Sequence, residues 1–375
     1  MRQLISFRDF DWLLLTFVLI ICSLGVLEIY STTYGTKFAG AHIRQIYWIL
    51  GGLLVMLAVS LINYQILLEN ANWFYVASVI SLLAVALFGK KYLGARRWIQ
   101  LPGGQHFQPS EWVKIVLILM LAKHFSGQGQ GGQGEREDAS LSEIVKAGLI
   151  AGVPMLLVLK QPDLGTALTY VPVALMGLFL GGIQFRHAAA ILLIAGVLMP
   201  TLWIYGPRMH LIKQYQKDRL TSFLHPEADS QKTGYQLEQS KIAVGSGGIW
   251  GKGVRKGSQT QGSFLPEPHT DFIFAAWSEE HGFVGAVALL LLYFMVLMRL
   301  IHNAQTAPDS AGGFVVMGVV AVLLFHILVN AGMVVGFMPV TGIPLPLMSY
   351  GGSSVLFMFL ALGIVMNIRM RRFVN

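Results

Sequence analysis

The chain has 375 residues, 54% hydrophobic and only 12% charged, with a formal net charge of +8 and a mean hydropathy of +0.61. Soluble domains carry about 25% charged residues, so this composition excludes an ordinary soluble enzyme and fits an all-α polytopic membrane protein. The single cysteine, Cys22, excludes an internal disulfide.

Apolar runs long enough to cross a bilayer recur along the chain and give ten expected spans. Their cores are 12–28, 47–62, 73–89, 112–122, 147–159, 164–180, 187–204, 272–300, 314–337 and 353–368. The first follows a short end bearing Arg2 and Arg8 and has no small-residue cleavage site after it, so it reads as a retained span. The fourth and fifth are short and carry Lys114 and Pro154. Between them, the Gly/Gln run 127–134 and Glu135-Arg136-Glu137-Asp138 read as a flexible loop at about 125–142. One large loop, at about 205–270, separates the seventh and eighth spans. No internal repeat is evident, and 1–375 reads as a single transmembrane domain.

With the N-terminus inside and the large loop set aside, ten lysines and arginines lie inside against seven outside. Long loops translocate regardless of charge, so this count favours both termini in the cytoplasm. The basic clusters on the outer side (Lys90-Lys91, Arg96-Arg97, Lys213/Lys217/Arg219 and Lys252/Arg255/Lys256) are not needed for topology. They read either as headgroup contacts or as a cationic bowl for an anionic substrate, whose phosphate oxygens arginine binds bidentately.

The segment Phe264-Leu-Pro-Glu-Pro-His-Thr-Asp-Phe272 sits where the large loop meets the eighth span. Pro266 and Pro268 suggest an extended entry, Thr270 a helix N-cap and Asp271 a first-turn carboxylate. Asp271 can therefore be a capping residue or a catalytic one. Inside the bundle, Glu111 and Lys114 share a helix face, and Asp163 lies at the outer start of the sixth span. Ionisable groups at such depth suggest function, but an ion pair of Lys114 with Asp163 or Glu111 could equally serve only to position helices. His326 and Asn330 read as interhelical hydrogen-bonding residues. No Cys/His cluster has metal-site spacing, so no metal residue is assigned.

Seven ordered motifs carry a family resemblance over nearly the whole chain: Gly94-Ala-Arg-Arg-Trp-Ile99, Gln161-Pro-Asp-Leu-Gly-Thr-Ala167, Gln239-Ser-Lys-Ile-Ala-Val-Gly-Ser-Gly-Gly248, Phe264-Leu-Pro-Glu267, His269-Thr-Asp-Phe-Ile-Phe274, Gly342-Ile-Pro-Leu-Pro346 and Ser349-Tyr-Gly-Gly-Ser-Ser354. They resemble the SEDS family (shape, elongation, division and sporulation). The Gln-Ser-Lys-Ile-Ala motif with Gly251-Lys-Gly253 is more similar to its elongation members than to its division members. Two features depart from the pattern: the Gly/Gln linker, and Glu279-Glu280-His281-Gly282, where an apolar residue is expected before the glycine.

The resemblance implies a peptidoglycan glycosyltransferase of the bacterial cytoplasmic (inner) membrane that polymerises lipid II, the undecaprenyl-pyrophosphate-linked disaccharide-pentapeptide, during cell elongation. It places the essential aspartate at Asp271, the polar cavity at Glu111, Lys114 and Asp163, and the arginine pair at Arg96 and Arg97. With Lys241 and His269, that pair is the candidate pyrophosphate site. The implied partner is a class B penicillin-binding protein, a transpeptidase, within the elongation machinery; nucleic acid is not expected. No cofactor is fixed, and a divalent cation, Mg or Mn, is left open.

The chemistry agrees. A pyrophosphate is already a good leaving group, so transfer from it needs one base for the acceptor hydroxyl and cations for the departing charge. The rival reading is a flippase for the same lipid precursor, suggested by Lys114, Asp163, Pro154 and the proline-rich 339–346 segment. Against it, the cationic groups and Asp271 concentrate on one face and no inverted repeat is found. A pure scaffold explains neither Asp271 nor the outer arginines.

Overall fold

The computed structural model describes residues 9–92, 95–100, 106–126, 138–205, 219, 223 and 233–373. Each of the ten expected stretches overlaps a helix, although 314–337 runs three residues past the end of its helix at Val334. In chain order the elements are α1 (Trp12–Thr33), α2 (Ala41–Leu61), α3 (Tyr64–Glu69), α4 (Ala71–Phe88), β1 (Lys90–Tyr92), β2 (Ala95–Gln100), β3 (His106–Phe107), α5 (Pro109–Ser126), α6 (Leu141–Lys160), α7 (Leu164–Leu180), α8 (Phe185–Tyr205), α9 (Thr233–Ser246), α10 (Ser258–Gln261), α11 (Ile273–Gln305), α12 (Ser310–Val334) and α13 (Gly352–Met370). Seven of these helices are long and apolar enough to cross a membrane: α1, α2, α4, α6, α11, α12 and α13. This is a multi-pass, mostly helical membrane protein.

The helix starts follow local chemistry. Asp11 accepts from Leu14 N at 3.1 Å to cap α1, and Asp309 accepts from Gly312 N at 2.7 Å to cap α12. Ser140 and Glu143 form a reciprocal capping box at α6. Helices α12 and α13 form the buried centre of the bundle, while α2, α4 and α6 turn Leu54, Trp73 and Leu156 outward, as a lipid-facing surface requires. Gly363 lets α13 lie against α2: a Cβ there would come within 2.8 Å of the Met56 carbonyl.

At the end of the bundle that holds the two termini of the described chain, Asp11 receives Arg299 at 2.9 Å, Arg369 at 3.1 Å and Asn303 at 2.9 Å. The opposite end gathers β1–β3, the start of α7, the turn before α11 and the α12–α13 connection.

One small element adds to the all-α reading without changing it. Strands β1, β2 and β3 form a small antiparallel sheet in that order. They are too short and too charged for alternation to reveal them, and β2 mounts the arginine pair. The Gly/Gln run 127–134 and the Lys213/Lys217 part of the basic loop lie outside the described residues. The described remainder of that loop includes α9 and α10.

Candidate active site

The segment before α11 is a turn and not the extended entry that two prolines suggested. Glu267, between them, has a φ of 44°, and its carbonyl accepts from Thr270 N at 3.1 Å. Pro268 thus stands second in the turn, where its fixed φ fits. Thr270 is not the helix cap, because its hydroxyl donates back to the Glu267 carbonyl at 3.3 Å. The N-cap position of α11 is Phe272, with no side-chain cap, so Asp271 is left outside the helix. The capping reading of Asp271 falls with this geometry.

The backbone of the turn is held from three sides. Ser349 Oγ donates to the Thr270 carbonyl at 2.7 Å, and Tyr350 N donates to the His269 carbonyl at 2.9 Å. From α12, Asn330 Nδ2 donates to the carbonyls of Asp271 at 2.9 Å and of Ile343 at 2.8 Å. One amide therefore joins the Asp271 turn to the proline-rich connection. Gly342, at φ 74°, faces the carboxylate: a Cβ there would stand 3.1 Å from Asp271 Oδ2. Left-handed backbone and lack of room both call for glycine at this point.

The Asp271 carboxylate itself accepts no hydrogen bond from any described residue, although protein surrounds it and only part of it reaches solvent. Burial, with the neighbouring Glu267 charge, pushes its pKa up from 3.8 to about 6, while Arg219 and Arg97 pull in the other direction. A carboxylate that titrates near 6 is a better general base than an ordinary one.

Lys114 is fully buried and pairs with Glu111 at 2.9 Å. It also lies 3.4 Å from His326 Nε2 and 4.1 Å above the Phe357 ring. His326 Nδ1 faces the Pro344 carbonyl at 3.1 Å, so the ring donates there and presents Nε2 as acceptor to the lysine. Asp163 belongs to a second set. It caps α7, accepts from Gln108 Nε2 at 2.7 Å and Thr166 Oγ1 at 3.0 Å, and lies 3.4 Å from Arg97. The partner of Lys114 is thus Glu111, and the partner of Asp163 is Arg97.

The remaining candidates divide. Arg97 sits on β2, partly exposed, between Asp163 and the field of Asp271. Arg96 is its neighbour on the strand, and its side chain lies outside the described residues. His269 is buried between Phe38 at 4.6 Å and Tyr350 at 5.8 Å, with burial and Arg44 pushing its pKa down to about 4. A ring neutral at pH 7 is ill suited to a pyrophosphate. Lys241, on α9, is exposed and lies across Gly336, not in the Asp271 group. Two residues were missed. Gln108 links Ser110 to Asp163, and Arg219 donates to the Thr341 carbonyl at 2.8 Å beside Gly342. Arg219 had been one basic residue of a cluster, and nothing in the sequence marked Gln108.

Residues 11–373 match the model of the FtsW/RodA/SpoVE cell cycle protein family, which takes in all the motifs above. The chain belongs to this family. It is 39% identical over 329 residues to the peptidoglycan glycosyltransferase MrdB of Escherichia coli K12, covering 88% of this chain and 85% of that one. It is 34% identical over 433 residues to the peptidoglycan glycosyltransferase RodA of Treponema pallidum, covering 97% and 98%. Among solved structures, it superposes with a TM-score of 0.81 and 32% identity, over 98% of this chain and 99% of the other, on a chain from work on the structural coordination of polymerization and crosslinking by a peptidoglycan synthase complex.

Proposed function

We propose that this protein is a peptidoglycan glycosyltransferase that polymerises lipid II on the outer face of the cytoplasmic membrane during cell elongation, with Asp271 as the general base. The observation that carries this reading is a carboxylate outside the helix that accepts no hydrogen bond from any described residue, with its backbone fixed and its charge in the field of Arg97 and Arg219.

In this reading Asp271 takes the proton of the acceptor sugar hydroxyl as that oxygen attacks the anomeric carbon of the donor. The bond to the pyrophosphate breaks, and Arg97 and Arg219 receive the departing charge. Attack from the face opposite the pyrophosphate turns an α-linked donor into a β-linked product. Magnesium or manganese accompanying the pyrophosphate would add to that neutralisation, and no step depends on it. In this reading the buried Lys114–Glu111–His326 cluster has a supporting role and takes no proton from the substrate.

A class B penicillin-binding protein is the proposed partner, favoured by the likeness to a synthase complex that coordinates polymerization and crosslinking. In this reading both termini lie in the cytoplasm and the loop at 205–270 lies outside, as the count of basic residues in the short loops favours.

The competing flippase reading predicts no glycan product from a detergent solution, where sidedness has no meaning. Purified protein with purified lipid-linked disaccharide in detergent should form glycan strands. Absence of polymer from folded, partner-bound protein would favour the transporter.

A further inference from the structure

A second polar cluster lies nine residues beyond Asp271, where α11 breaks. Gly282, with φ 68° and ψ −167°, interrupts the helix, and loop 247–253 docks into the gap. Lys252 N and Gly253 N donate to the carbonyls of Glu279 and Glu280 at 3.1 and 2.9 Å, and Phe283 N donates to the Gly248 carbonyl at 2.8 Å.

Three acidic side chains meet here in three degrees of satisfaction. Glu279 is buried and fully bonded, accepting from Lys252 Nζ at 2.8 Å, Gln259 N at 2.9 Å, Thr260 N at 3.1 Å and Thr260 Oγ1 at 2.8 Å. Glu280 uses only Oε1, which accepts from Ser31 Oγ and from Arg255 N at 3.1 Å; its Oε2 has no partner. Glu28, on α1 and fully buried, has no hydrogen-bond partner on either oxygen.

Among the described residues no lysine or arginine forms an ion pair with Glu28 or Glu280, and Arg255 acts on Glu280 only from a longer range. The Arg255 guanidinium stacks 3.4 Å over Tyr34, and Lys252 is engaged by Glu279. His281, half-buried and stacked on Trp277 at 3.7 Å, completes the group. Its Nδ1 lies 3.9 Å from Glu28 Oε2 and 3.3 Å from the Trp277 carbonyl, so this is the nitrogen that faces the carboxylates, and the tautomer with the proton on Nε2 offers an ion its lone pair.

We infer that Glu28, Glu280 and His281 form a binding site for one divalent transition-metal ion. One ligand atom from each residue lies within 4.8 Å of the others, a span that metal–ligand bonds of about 2.0–2.4 Å can close. Two carboxylates and a dication make a neutral cluster, which removes the cost of two buried charges without an ion-paired lysine or arginine. One imidazole among oxygens favours manganese or zinc over magnesium or calcium. The site is separate from the cationic face around Asp271. Its role is to bolt α1 to the break in α11 and to the loop that fills it, so that ion binding appears as stability. The ligands come from positions 28, 280 and 281, a spacing that no local motif search could detect.

The test uses the full-length protein in detergent, stripped with chelator and titrated with manganese chloride. Wild type should hold one ion with nitrogen coupling from an imidazole in pulsed electron paramagnetic resonance, and its melting temperature should rise with manganese. His281→Leu should abolish the nitrogen coupling, and Glu28→Gln should weaken binding at least tenfold. Asp271→Asn should keep both signals, which separates this site from any ion at the catalytic face. If Glu28→Gln does not fold, the half-buried His281→Leu variant carries the comparison alone. The inference is overturned by wild type that binds no ion, or by equal coupling and equal melting shifts in wild type and His281→Leu. Either result would mean that Glu28 is simply held protonated.

Discussion

Lys114 Nζ lies 2.9 Å from Glu111 Oε2, one helical turn away on α5, in a part of the bundle where the lysine side chain is fully buried. The carboxylate at Asp163 is occupied by Arg97, Gln108 and Thr166 instead. Lys114→Met therefore leaves Glu111 buried without its counter-charge and should cost about 3–5 kcal/mol of stability. Adding Glu111→Gln should recover most of that loss, and exchanging the two residues should restore folding. Exchanging Lys114 with Asp163 should not. Thermal melts of the purified variants decide it, and a Lys114→Met protein as stable as wild type would contradict the assignment.

Asn330 ties the Asp271 turn to the Ile343 connection through one amide. Asn330→Leu leaves two carbonyls unpaired and should cost about 1–3 kcal/mol, with a further loss of polymerisation as Asp271 loses its position. Gly342→Ala introduces both strain at a positive φ and a Cβ against the carboxylate, and should reduce turnover at least tenfold while substrate binding changes less. Equal turnover in Gly342→Ala and wild type would show that the contact is slack.

How much of this was legible in the sequence depended on the range of the interaction. Helices α1, α2, α11, α12 and α13 were readable because about twenty apolar residues in a row admit few alternatives. Asp163 was readable because an acid next to Pro162 at a helix start is a local signal. The partner of Lys114 was not, since Glu111 and Asp163 were equally plausible until the fold placed Arg97 on β2. The turn at Pro266 and Pro268 was misread because the positive φ at Glu267 depends on contacts made by Ser349, Tyr350 and Asn330, all distant in sequence. Glu28 and His281 illustrate the extreme case, since 253 positions separate them and only packing brings them together.

Topology can be checked by chemistry alone. In a Cys22→Ala background, a cysteine at Ser230 should react with an impermeant thiol reagent in intact cells, and one at Ser126 should not. Labelling at 126 with protection at 230 would invert the orientation.

The raised pKa of Asp271 has opposite signatures in stability and in activity. The unfolded carboxyl ionises near 3.8 and the folded one near 6, so the folded protein is penalised for holding the charge. This group's contribution is favourable below pH 3.8 and is lost as pH rises through 6. Asp271→Asn should thus melt higher than wild type at pH 7–8, by about 1–2 kcal/mol after allowance for partial solvent access, and the gap should close toward pH 4. Polymerisation by wild type should fall about tenfold per pH unit below 6 as the base is protonated. A pH-independent stability difference would remove the burial argument.

The most direct test of the proposed mechanism is glycan-strand formation from purified lipid-linked disaccharide by Asp271→Asn protein, with Glu267→Gln run alongside and thermal stability and partner binding as controls. Asparagine keeps the shape and the backbone bonds from Asn330 and Ser349 but cannot take a proton. The account predicts a folded, partner-binding Asp271→Asn protein whose polymerisation is lower by about 100-fold or more, with Glu267→Gln far less affected. Polymerisation by Asp271→Asn near the wild-type rate, or the larger loss falling on Glu267→Gln, would contradict it.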